Sequence, residues 1–295
     1  MKSRWILNLL LLLVVAGLGF YVYQRPVAVE KKEQIYNIAS FEPADVTHLR
    51  IEVPARKAIV FEKKDGRWMM VEPYQGRADA LSIGRVLSVA LATSPEKFPL
   101  ANAAQFGLDH PQMIIHADDK TFSFGMFNPV GGQQFVAHEN QVYTLETIYG
   151  ENATVQPLEF LDKHPLAKDE EIVDFDFGAL EQWEGTHLKV HRADDGKWQV
   201  TAASKYKPNP NQQEMDDWFV NWAELQAASV EPFVPVKEPQ PFVLIKLKNG
   251  KVVKLVKMQE SPELLLVRED EKLQYHFPQD VGFTILNPPA GFKVE

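Results

Sequence analysis

The sequence contains no cysteine. That excludes disulfides, cysteine nucleophiles, iron–sulfur clusters and thiolate zinc sites. Basic residues are in the minority, 31 Lys plus Arg against 40 Asp plus Glu. A formal charge of −9 is not what a nucleic-acid binder needs, since binding requires a basic face that neutralises phosphates. There is no P-loop, no G-x-S-x-G elbow, no G-x-G-x-x-G fingerprint, no H-E-x-x-H pair and no EF-hand loop. No catalytic residue, cofactor or metal site is therefore assigned, and the chain reads as a non-enzyme.

What is present can fold. The 295 residues are 45% hydrophobic and include 18 Phe, 6 Trp and 8 Tyr, enough to exclude disorder throughout and to build one large domain or two modest ones. The first 24 residues stand apart. From Trp5 to Tyr23 the chain reads WILNLLLLLVVAGLGFYVY, with Asn8 as the one strongly polar side chain. As a helix this run spans roughly 28 Å, close to the hydrocarbon thickness of a bilayer. Lys2 and Arg4 precede it, and aromatic residues stand at both ends. Residues 1–24 thus predict an uncleaved transmembrane signal anchor in a bacterial inner membrane. The N-terminus would be cytoplasmic and the bulk periplasmic, joined by a polar tether over 25–45. A cleaved signal peptide is the rival reading.

Beyond the tether the chain repeats itself. Lys64-Asp65-Gly66-Arg67-Trp68 recurs as Asp194-Asp195-Gly196-Lys197-Trp198, and Pro111 before an apolar run recurs as Pro241, both at an offset of 130. Ser94-x-Glu96-x-Phe98 recurs as Ser229-x-Glu231-x-Phe233 at an offset of 135. Each copy has alternating strand-like runs, an Asp-Gly turn, a tryptophan strand, a helix and then a strand meander. Asp79 caps the first helix in this reading and Asn211 the second, with Glu214 completing a capping box. The expected fold is α+β: an N-terminal transmembrane helix, then two tandem modules, each an antiparallel sheet with one packed helix. The modules are placed at 46–160 and, as a degenerate copy, at 170–295.

The polar residues yield little chemistry. His187 and His191 fall on a strand-like segment, where i and i+4 stand about 13 Å apart, too far to share one ion. Asp118-Asp119, Asp194-Asp195 and Asp216-Asp217 suit turns or a helix exterior. Trp68, Trp198, Trp218 and Trp222 suit the core, whereas Trp183, with the Tyr206 loop, is the candidate partner surface.

The run from DGRWMMVEP (65–73) through RADALSIGRVLSVAL and FGLDHP (106–111) to VYTL resembles the domain-of-unknown-function 4340 family, best over 46–148. The Phe-Gly-Leu-Asp-x-Pro signature has decayed to Glu238-Pro239-Gln240-Pro241 in the second copy. The resemblance implies a membrane-anchored envelope protein, found beside ABC-type transport components of the gliding-auxiliary kind. It supplies no catalytic residue. The leading expectation is thus a non-enzymatic accessory or scaffold subunit of such a transport complex. A periplasmic module binding a glycan or lipid in the cleft between the repeats is the alternative, and an envelope hydrolase the third.

Overall fold

The computed structural model describes residues 2–24, 34–129, 131–203, 205, 207–235 and 238–292. It forms two units, Met1–Ile35 and Tyr36–Glu295. The first contains helix α1 (Lys2–Gln24). Among the described residues no helix is long and apolar enough to cross a membrane. The transmembrane signal anchor is therefore corrected. The single-pass inner-membrane topology, the periplasmic placement and the membrane-complex partner, all of which rested on the anchor, fall with it. Residues 25–33 of the proposed tether lie outside the described residues.

In the second unit, apolar and polar side chains alternate along most strands, so one face of each is buried. It opens with β1 (Tyr36–Asn37), β2 (His48–Glu52), β3 (Ile59–Lys64), β4 (Arg67–Glu72) and β5 (Gly76–Arg77). Helix α2 (Ala80–Leu87) follows, then β6 (Thr93–Ser94) and β7 (Lys97–Pro99). The meander β8 (Met113–Ala117), β9 (Lys120–Asn128), β10 (Gln133–His138) and β11 (Gln141–Glu146) leads to α3 (Ile148–Glu151). After a connection come β12 (Ile172–Asp176), β13 (Lys189–Arg192), β14 (Trp198–Thr201), α4 (Gln212–Ala223) and β15 (Ser229–Pro232). The chain ends in β16 (Phe242–Leu247), β17 (Val252–Gln259), β18 (Glu263–Arg268), β19 (Leu273–Pro278) and α5 (Gln279–Leu286).

The strands form two large antiparallel sheets, ordered β5-β4-β3-β2-β8-β9-β10-β11-β7 and β14-β13-β12-β16-β17-β18-β19-β15. Strand order is thus shared except for the extra edge strand β5. The expectation of two separate helix-on-sheet modules is nonetheless corrected. This unit is mostly antiparallel sheet with few short helices, and one buried apolar cluster runs continuously from Ile38 to Ala290 through both sheets. Each helix is too short to cover a sheet by itself, so burial depends on the connections and on the neighbouring sheet.

Two local features explain sequence motifs. Phe106, Leu108, Ala137 and Val142 form a small cluster with Phe98, Ala103 and Phe135. The Phe-Gly-Leu signature is the clamp: Gly107 takes a left-handed φ of 67°, and a Cβ on Gly125 would meet the Phe106 carbonyl oxygen at 2.2 Å. At the other end of the chain, three indoles close α5. Trp218, Trp222 and Trp183 donate their Nε1–H groups to the carbonyls of Thr284, Ile285 and Leu286. These carbonyls lie in the last turn and would otherwise have no intrahelical donor.

Candidate functional site

The edge of the first sheet continues into the connection after α3. The Asp79 N–H donates to the Phe160 carbonyl, the Asp162 N–H donates to the Arg77 carbonyl, and Ala78 bridges antiparallel to Leu161. α2 rises from this junction, started by Asp79, whose carboxylate accepts from the N–H groups of Leu81 and Ser82 and from the Ser82 hydroxyl. Between α2, the end of α3 and the connection opens a cleft of about 810 Å³. Such a volume lies within the range of small-molecule sites. Trp68, Leu81, Val155, Phe160 and Leu161 supply apolar lining, and Arg67, Arg85, Glu151, Glu159, Lys163, Lys168 and Asp169 supply charge.

Beneath the cleft lies a buried ionic network that ties the two sheets together. Arg77, on the first sheet, donates to Asp162 at 2.7 Å, to Glu271 at 2.9 Å and to the hydroxyl of Tyr275 at 3.2 Å. Arg268, on the second sheet and 1% exposed, donates to the two oxygens of Glu170 at 2.6 and 2.7 Å, to Asp270 and to the Pro165 carbonyl. Glu170 also accepts from the Ala167 N–H. Burial disfavours the Glu170 charge, but the hydrogen bonds from Arg268 and Ala167 outweigh it and hold the pKa down at about 2. Burial likewise opposes the Arg77 charge, and Glu271, Tyr275 and Asp162 offset it and raise the guanidinium pKa. Burial and the charge of Glu271 push the Tyr275 phenol up, so it stays a neutral donor and acceptor. Each side chain in the network is matched, which makes the inter-sheet junction rigid and fixes the floor on which the cleft stands.

The residues singled out from sequence lie elsewhere. Trp183 is half-buried, its N–H bonded to Leu286 and its ring 6.0 Å from that of Phe292. Tyr206 is outside the described residues. The acidic pairs have local roles: Asp118 accepts from the N–H groups of Thr47 and His48, Asp195 from that of Lys197, and Asp216 from the Trp198 indole. Among the described residues no group of three His, Cys, Asp or Glu side chains is placed to hold a metal ion. The cleft residues escaped sequence reading because they come from segments about eighty residues apart and belong to no spacing motif. The one local signal was Asp79, legible as a helix cap and hence as a fixed wall.

No curated protein and no solved structure matches the chain. The family described as Domain of unknown function (DUF4340) matches residues 68–246. The match begins on β4 and ends in β16, so it takes in strands of both sheets, the connection and most of the cleft, rather than the 46–148 stretch where the resemblance looked best. The membrane-anchored character attached to that resemblance is corrected by the absence, among the described residues, of a helix able to span a bilayer. Covering more than half of the chain, the match shows that this protein belongs to the DUF4340 family.

Proposed function

We propose that the chain is a non-enzymatic binding module that holds a small molecule in the cleft between α2 and the connection after α3. The observation that carries this reading is the combination of an apolar lining with a floor immobilised by the Arg77 and Arg268 network. A pre-formed apolar concavity with a few placed polar groups is what small-molecule recognition requires, since little ordering entropy is lost on binding. Four of the five carboxylates lining the cleft are engaged with partners, which leaves Glu151 without a second free acid beside it and supports binding over hydrolysis. Asp79 is engaged as a helix cap, Asp162 with Arg77 and His164, Glu159 with Lys163, and Asp169 with Arg67. A carboxylate held this way is not free to trade a proton with a substrate.

The transport-accessory reading is not carried forward, because the anchor on which it depended is absent among the described residues. The test is a thermal-melting screen of soluble small molecules on the wild-type chain and on Val155→Trp, which narrows the cleft at a lining residue that is 40% exposed. A ligand present at ~100 times its Kd stabilises the wild type by about 2.7 kcal/mol, and the gain should vanish in the variant. Equal stabilisation of both proteins would refute a site in this cleft.

A further inference from the structure

Resting on the reading of the cleft as a ligand site, we propose that its ligand is an amphipathic anion: a carboxylate or phosphate head on an apolar body. The argument starts from which charges in the cleft are already satisfied. Asp79, Glu159, Asp162 and Asp169 each have a partner within the protein, as do Arg67, Arg77 and Lys163. Among the described residues, two cations of the lining, Arg85 and Lys168, have no partner, against one such carboxylate, Glu151. The chain carries −9 overall, so two unpartnered cations in one concavity run against the general balance. A bound anion gains charge-assisted hydrogen bonds from them, and a guanidinium suits the paired oxygens of a carboxylate or phosphate. A cationic ligand would meet the same two groups as repulsion.

The apolar half rests on different residues. Leu81 is 68% exposed and Val155 is 40% exposed, and both line the cleft. Leu81 and Arg85 are four apart on α2, so they share one helix face and place an apolar side chain beside the free guanidinium. Phe160 and Leu161 back these two from the buried core beneath. A purely polar anion would leave that surface wet, and a purely apolar ligand would desolvate Arg85 with nothing in exchange. A molecule with one anionic end and an apolar body satisfies both.

The experiment is isothermal titration of the full chain with octanoate, octyl phosphate, octanol and inorganic phosphate, repeated on Arg85→Gln, Lys168→Gln and the remote control Lys197→Gln. The expected result is that octanoate, octyl phosphate or both bind more tightly than octanol and phosphate. Whichever of the two is preferred identifies the head as carboxylate or phosphate. Arg85→Gln and Lys168→Gln should each weaken the bound amphiphile about tenfold, as loss of one charge-assisted contact does. Octanol affinity and the Lys197→Gln control should not change. If octanol binds as tightly as octanoate and the two variants change nothing, the anion assignment is overturned while the cleft reading stands. If inorganic phosphate binds as tightly as octyl phosphate, the apolar half is overturned. Failure of all four to bind overturns the proposal, and the Val155→Trp melting screen then decides separately whether the cleft binds anything.

Discussion

Replacing Glu170 by glutamine removes one charge from a buried pair and leaves nearly the same shape behind. Arg268 is 1% exposed and Glu170 6%, so the guanidinium stays in place with Asp270 and, at 3.4 Å, Glu271 as its remaining anionic partners. The magnitude follows from the carboxyl pKa, held at about 2 against an ordinary value of 4.5. At about 1.36 kcal/mol per unit, this differential interaction is worth about 3 kcal/mol, in line with the usual loss on breaking a buried pair. The sign is that of a depressed acid. The stabilisation is fully present above the unfolded pKa near 4.5 and is lost as the pH falls through the folded value near 2. Urea unfolding of wild type and Glu170→Gln at pH 7 should therefore differ by about 3 kcal/mol at unchanged slope, and the difference should shrink between pH 4.5 and 2. Pairing Glu170→Leu with Arg268→Met should recover most of the loss, because it removes both charges and the unmatched guanidinium with them. A loss under ~1 kcal/mol at pH 7, or one that stays constant with pH, would refute the argument that the Glu170–Arg268 pair locks the connection onto the second sheet.

Three other substitutions probe the fold. Gly125→Ala places a Cβ 2.2 Å from the Phe106 carbonyl oxygen, so the signature loop must move and stability should fall by about 1–3 kcal/mol in thermal melting. Trp222→Phe keeps most of the ring but leaves the Ile285 carbonyl without its donor, for an expected loss of about 1–3 kcal/mol by urea unfolding. Asp79→Ala frees the Leu81 and Ser82 N–H groups at the start of α2, and should cost about 1 kcal/mol in the same assay.

Much of the strand layout was legible because each strand needs only its own alternation and a turn. The meander over 112–145 and its counterpart over 242–277 sit where period-two patterning and Gly or Pro punctuation put them. The caps Asp79 and Asn211 were legible for the same local reason. The Asp-Gly turns were only half legible. Asp65 and Gly66 both take positive φ in a two-residue turn between Lys64 and Arg67, whereas of Asp195 and Gly196 only the glycine does, in a longer turn between Arg192 and Trp198. The packing of the two sheets was not legible: periodicity shows which face is buried but not against what, and here the faces share one core. Trp183 illustrates the same limit, since its partner Leu286 is 103 residues away and nothing local announces it. The cleft was invisible for a further reason. Its shape depends on Arg77 meeting Asp162 and Glu271, contacts between segments 85 and 194 residues apart.

The central claim is that the concavity between α2 and the connection after α3 is a ligand site. Hydrogen–deuterium exchange of the full chain, with and without saturating octyl phosphate, tests it most directly because the readout carries a position. Slowed exchange confined to Ala80–Leu87 and to residues 151–169 is the predicted result, with the remote meander β16–β17 unchanged. Protection confined to other segments, or none at all, would contradict it.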